Sequence, residues 1–187
     1  MDPYPFNLRK AIQAAGVLLR EEPARRMSRM RLIKLLYIAD RESLRETGEP
    51  ITGDRAVAMQ HGPILSQIYD CIKGECPRLP QWEEFFVSRG RDVEMVKGVP
   101  IDDLSRYEIE TLQRVCRERE DRQDWDVAEE THAFQEWIRN NPGTSARPIP
   151  LRDILEAVGR GSAADRIIAE AESRRKVARL VGRDHLC

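Results

Sequence analysis

The sequence predicts a mainly α fold (α+β): a compact helical domain with a small β-hairpin or short antiparallel sheet, followed by a C-terminal helical extension. Three observations predict it. Apolar residues recur at three- and four-residue spacing through most of the 187-residue chain. Short β-rich runs are confined to the segments around 55–59 and 82–96, beside turn-forming residues. Hydrophobic residues make up 41% of the chain and charged ones 34%, which suits one buried core under a charged surface and excludes disorder. A chain of this length holds one such core with room for an appended element.

From Asn7 to about Leu19, the residues Leu8, Ala11, Ile12, Ala15, Leu18 and Leu19 form an apolar stripe that Asn7 is placed to cap. Pro23 ends this helix. Ser28 caps a second, in which Leu32, Leu35, Leu36, Ile38 and Ala39 lead toward Leu44 before Gly48 and Pro50 close it. Gly53-Asp54 reads as a turn and Arg55 to Met59 as a short strand. His61-Gly62-Pro63 then breaks the chain ahead of a helix with Pro63 at an early position, Ile64, Leu65, Ile68 and Ile72 on one face and Tyr69 at its edge. Cys76, Pro77 and Pro80 mark a loop. Trp82 to Val87 and Val93 to Val96, joined by Ser88-Arg89-Gly90-Arg91, predict a hairpin.

Ser105 with Glu108 is a capping-box pattern opening a helix through Leu112, Val115 and Cys116 toward Arg122. One further helix from about Asp126 to Arg139 is expected to bury Val127, Phe134, Trp137 and Ile138. Asn141 to Ser145, with Pro148 and Pro150, reads as a linker separating a domain over 1–141 from an extension over 142–187. The extension reads as helices over Leu151–Val158 and Ala163–Val181.

A mean hydropathy of -0.57 and the lack of an 18-residue apolar run argue against a membrane span. The start of the chain, with Asp2, Pro3 and Pro5, lacks the apolar stretch of a signal peptide, so a cytoplasmic chain is expected. A net charge of -1 disfavours nucleic acid as partner. Charge is nevertheless segregated: six basic residues fall within 20–34 and eleven acidic against five basic within 102–130, as contact faces or as solvated surface. Cys71, Cys76, Cys116 and Cys187 lack metal or redox spacing and are expected as reduced thiols.

The catalytic motifs are thin. His61, His132 and His185 belong to no metal-binding pattern, and neither a phosphate-binding glycine loop nor a nucleophile elbow occurs, so no metal or cofactor is expected. His61 could act with Asp40 or Asp54 as an acid–base pair, or simply bond a loop carbonyl. Trp82, Trp125 and Trp137 are not interleaved with basic residues, which favours core packing over base stacking.

The segment Lys34-Leu35-Leu36-Tyr37-Ile38-Ala39-Asp40, then Gly48 to Asp54, Ala58, His61-Gly62-Pro63-Ile64 and Tyr69, is the most distinctive. With Leu104-Ser105, Glu108, Trp125, Glu130-Thr131-His132 and Glu136-Trp137, it resembles the Panacea domain, the SocA-like antitoxin family, over about residues 5–140. Ala56 and Ile64 stand where that family often has an aromatic and a valine.

The resemblance implies a non-enzymatic antitoxin of a toxin–antitoxin system that neutralises a cognate toxin protein by direct binding. In the SocA case it implies an adaptor delivering the toxin to the ClpXP protease. It singles out Lys34, Tyr37, Asp40, Thr52, Gly53, Asp54, His61, Gly62, Pro63, Tyr69 and Trp137, as a structural lock or as toxin contacts. In the lock, Asp40 near the helix end and Asp54 tie the long helix to the Gly-Asp turn, and His61-Gly62-Pro63 sets the next helix. Rival toxin-binding surfaces are the 82–96 hairpin and the extension with Arg174, Arg175, Lys176, Arg179 and Arg183. The alternatives are a nucleic-acid-binding autoregulator and a small phage- or mobile-element-associated hydrolase.

Overall fold

The computed structural model describes residues 3–141 and 143–180. Helix α1 (Leu8–Glu21) opens where Asn7 Oδ1 accepts the Lys10 N–H at 3.0 Å. After strand β1 (Arg26–Ser28), Ser28 caps α2 (Arg29–Thr47) by accepting the Arg31 N–H, and Gly48 ends it at a φ of 83°. Every residue from Arg31 to Asp40 is buried. Such a helix has no solvent face over that stretch, and β1, α1 and the later elements wrap around it.

Strands β2 (Ala56–Met59) and β3 (Gly62–Leu65) form an antiparallel pair leading into α3 (Ser66–Lys73). The expected helical start at Pro63 is therefore corrected: Pro63 pairs with Ala58 in β3, and the helix begins at Ser66. β3 is an outer strand, where the missing proline N–H is tolerated. Its four residues are all buried because α2 covers the strand.

Helix α4 (Leu79–Glu83) contains Trp82, which sequence assigned to a strand; the hairpin itself is β4 (Phe86–Arg89) and β5 (Asp92–Met95), with Gly90-Arg91 as its turn. Pro80 at a first-turn position starts α4, since its missing N–H has no intrahelical partner there anyway. β1 completes an antiparallel sheet of order β1-β5-β4.

Ser105 and Glu108 form the expected capping box at the start of α5 (Arg106–Arg117), which ends five residues before Arg122. The single helix expected to Arg139 is two, α6 (Asp124–His132) and α7 (Gln135–Arg139). Phe134 breaks them in an extended conformation and stacks on Tyr37, centroids 6.3 Å apart. The break turns Ile138 outward, 48% exposed, against the expectation of burial.

Arg147–Pro148 form β6, which joins β2 to give the order β3-β2-β6, so the expected linker contributes a strand. Ile149 is buried behind it, with its N–H donated to the Ala56 carbonyl at 2.9 Å. α8 (Leu151–Ala157), a 3₁₀ turn (Gly161–Ala163) and α9 (Ala164–Leu180) follow. Arg160 donates to the Arg45 and Glu46 carbonyls at the end of α2, and Arg174 pairs with Glu49. Pro142, Arg183, His185, Cys187 and the Arg179 side chain lie outside the described residues.

The expectation of reduced thiols is corrected at one pair. Cys71 and Cys76 form a disulfide with Cα atoms 4.6 Å apart, because α3 stops at Gly74 and the chain doubles back. Cys116 is free and buried, and burial pushes its thiol up to about 11. No described helix is long and apolar enough to cross a membrane.

Candidate functional site

Lys34, Tyr37 and Asp40 lie at three-residue steps along the buried part of α2, so each reaches a different neighbour on the side of β3, α7 and the 51–54 turn. Lys34 Nζ donates to the Pro63 carbonyl at 2.8 Å. It is 2% exposed with no carboxylate among its described partners, and burial lowers its ammonium to about 7. Gly62 has a φ of 90°, and a Cβ there would come within 3 Å of both the Thr131 hydroxyl and the Lys34 ammonium. Only glycine lets β3 come this close to α2 and α6. Lys34, Gly62 and Pro63 thus form one junction, floored by His132 stacked on Trp137 at 4.5 Å, with Trp137 Nε1 donating to the Met59 carbonyl.

Tyr37 Oη donates to Glu136 Oε1 at 3.0 Å, and Arg41 Nε to the same oxygen at 2.7 Å. Glu136 is fully buried, so the arginine supplies the charge that its desolvation requires. Arg41 also lies over the Phe134 ring at 4.1 Å. Burial, then the nearby Glu136 carboxylate, raises the Tyr37 phenol well above its ordinary value.

Asp40 sits two turns before the end of α2, not at it. Its Oδ1 accepts the Ile51 and Thr52 N–H groups at 3.0 Å each and its Oδ2 the Thr52 hydroxyl at 2.6 Å. Burial pushes its carboxyl up to about 7 against the downward pull of these donors. Asp54 does not reach α2. It accepts the Gln67 and Ile68 N–H groups at 3.1 and 2.8 Å, the free donors in the first turn of α3. Between the two carboxylates the chain turns at Gly53, φ 67°, where a Cβ would collide with the Pro5 carbonyl. A cavity of about 50 Å³ lies here, lined by Tyr4, Tyr37, Asp40, Asp54, Ile149 and Ile154 among others.

The structure therefore brings Asp40 together with Thr52, and Lys34 with Gly62 and Pro63, and sets Asp54 on α3. His61 is the one exposed member of the eleven, at the β2–β3 turn, with its ring edge-on to Trp125 at 5.7 Å. No acid–base pair with Asp40 or Asp54 forms, because both carboxylates are buried against backbone donors while His61 faces outward. Tyr69 is half-buried on α3, with the Lys73 ammonium 5.4 Å from its ring. Trp82 and Trp137 are core, as expected; Trp125 is not, at 52% exposure. No group of three histidine, cysteine or acidic residues among those described could hold a metal.

Of the six basic residues in 20–34, two are buried and Arg20, Arg25, Arg26 and Arg29 are exposed, two of these bonded within the fold. Arg31 is buried and donates to the Arg119 and Arg122 carbonyls, Lys34 is buried, Arg20 donates to the Val99 carbonyl, and Arg26 pairs with Asp92. Sequence reasoning missed Arg41, and it named Thr131 and Glu136 only as carriers of the resemblance, not as site residues. The signals were an arginine directly after Asp40 and a glutamate four residues past His132, beside Trp137.

In comparison with known families, the model for antitoxin SocA-like, Panacea domain, fits residues 32–138. That span runs from the first turn of α2 into α7 and contains all eleven motif residues. No curated protein and no solved structure matches the chain significantly.

Proposed function

The chain belongs to the SocA-like antitoxin family of the Panacea domain, and from that membership we propose that it is a non-enzymatic antitoxin that neutralises a cognate toxin protein by binding it directly. The family match over 32–138 carries the reading. The placement of the motif supports it: ten of the eleven residues are buried or half-buried, with Lys34, Asp40 and Asp54 bonded to the backbone of β3, the 51–52 turn and α3, which leaves the work to the surface around them. On this reading the protein acts in the cytoplasm, where thiol reductants work against the Cys71–Cys76 bond. Handing the bound toxin to ClpXP is the finer form of the same proposal. Nucleic acid is not its partner on this reading, since the basic stretch is partly buried and partly bonded within the fold.

The test is co-expression with the product of the adjacent gene, scored for growth rescue and for co-purification over a salt gradient. Rescue with a stable complex supports the reading; a harmless neighbour and no complex overturn it. A toxin half-life that shortens only when both this chain and ClpXP are present supports delivery, and an unchanged half-life restricts the role to sequestration.

A further inference from the structure

The buried motif residues are accounted for by packing, but His61 is not. It lies at the surface, its ring edge-on to Trp125 at 5.7 Å, and no hydrogen bond among the described residues holds it. Trp125 is itself 52% exposed, whereas Trp82 and Trp137 are 2% and 9% exposed. A half-exposed tryptophan carries an apolar cost in a free chain and is the side chain most enriched at the centres of protein interfaces.

The surroundings specify the partner's charge. Glu129 is one helical turn beyond Trp125 on α6 and therefore shares its face. Its side chain is 62% exposed, with the His132 ring nitrogen 3.3 Å away as its described ion-pair partner. The Asp126 carboxylate, also exposed, accepts the Gln123 N–H at the mouth of the same helix, and the Asp126 main-chain carbonyl accepts from the Arg122 guanidinium at 3.1 Å. Neither carboxylate has an arginine or lysine ion-pair partner among the described residues, and the nearby Arg122 guanidinium is paired with Glu130. Elsewhere cations lie over aromatic rings, Arg41 on Phe134, Lys73 on Tyr69 and Lys97 on Phe85, but among the described residues none lies over Trp125, whose described ring contact is His61. A half-exposed indole with no cation over it, beside exposed carboxylates that lack an arginine or lysine ion pair, is complementary to an arginine or lysine flanked by apolar groups.

We infer that the β2–β3 turn and the outer face of α6, with His61, Trp125, Asp126 and Glu129, form the toxin-docking surface, and that it receives a basic segment of the toxin with a cation set over Trp125. This rests on the antitoxin reading and adds to it the place and the chemistry of the contact. It excludes the 82–96 hairpin and the C-terminal extension as the main contact.

The experiment uses the full chain and the toxin from which it rescues growth in co-expression, with Trp125→Ala, Glu129→Lys and, as a charge-reversal control at an exposed arginine of α2, Arg29→Glu. Thermal unfolding confirms that each variant is folded. The expected result is a Kd raised at least about 30-fold by Trp125→Ala and about 10-fold by Glu129→Lys, with Arg29→Glu unchanged. A lysine- or arginine-to-glutamate change in the toxin should restore binding to Glu129→Lys. If the folded Trp125→Ala and Glu129→Lys variants bind and rescue as the parent does, the surface is wrong while the antitoxin reading stands. If binding falls but only acidic or uncharged toxin positions respond to Glu129→Lys, the assignment of a basic occupant is wrong. A parent chain that rescues from no toxin overturns both.

Discussion

Replacing Lys34 by methionine should make the protein more stable. The lysine keeps its amine 2% exposed with one described acceptor, the Pro63 carbonyl. Burial lowers it from 10.5 to about 7, a difference worth about 5 kcal/mol at 1.36 kcal/mol per pH unit, of which about 4 kcal/mol is felt at pH 7. Methionine has a similar length and no charge. It leaves the Pro63 carbonyl without its donor, at a cost of about 2 kcal/mol. The balance is a gain of about 2 kcal/mol at pH 7, or a Tm higher by about 4–8 °C for a chain of this size.

The pH dependence gives an independent reading. Between pH 7 and 10.5 the unfolded chain holds the Lys34 proton and the folded chain does not, so this residue makes parent stability rise with pH across that window. Its penalty is fully present below pH 7. The assay is chemical denaturation of both proteins from pH 6 to 10, with Lys34→Ala as a control that adds a cavity and should fall below methionine by about 2 kcal/mol. A Lys34→Met protein less stable than its parent at pH 7, with the same slope above pH 7, would refute the argument.

Asp40→Asn tests the opposite sign: with the folded carboxyl raised to about 7, the parent loses stability as pH climbs from 3.8 to 7. The amide oxygen can still accept from Ile51 and Thr52, so the variant should lack that slope and equal or exceed the parent by about 2 kcal/mol at pH 8 in the same denaturation assay. Gly53→Ala forces a side chain onto the Pro5 carbonyl at a φ of 67° and should cost at least about 2 kcal/mol, read as a drop in Tm; an unchanged Tm contradicts the geometry. Reducing the Cys71–Cys76 bond opens a short loop worth about 2 kcal/mol. Calorimetry with and without reductant should show that loss, and a Cys71→Ser/Cys76→Ser double variant should be insensitive to the reductant.

Legibility followed the range of the interactions. α1, α2 and α5 could be placed to within a few residues because their caps, Asn7, Ser28, Gly48 and Ser105, are local signals that the backbone obeys. Residues 63–65 read as helix because Ile64 and Leu65 extend the apolar spacing of Ile68 and Ile72, and nothing local reveals a strand paired with β2 and packed against α2 and α6. The break at Phe134 is set by the distant Tyr37 ring and was equally invisible. β1 and β6, three and two residues long, exist only through partners far along the chain.

At the site, the motif residues could be singled out by their resemblance to a family, and a tie from Asp40 to the Gly-Asp turn was expected without singling out Thr52 as its partner. The direction of Asp54 was not, because capping α3 depends on where that helix starts. The exposure of Trp125 was also hidden, since aromatic content alone predicts burial.

The pairing of Arg147–Pro148 with β2 has a practical consequence. The family match stops at residue 138, and a fragment cut there would strip β2 of one neighbour. Its sequence, Ala56-Val57-Ala58-Met59, is uncharged and contains no proline. An uncovered edge of that kind is a template on which another chain can add a strand. Oligomers or aggregates formed by such a fragment would therefore report an amputated sheet and not a native assembly. Fragments for interaction work should run through α8, so that β6 and the buried Ile149 behind it stay in place.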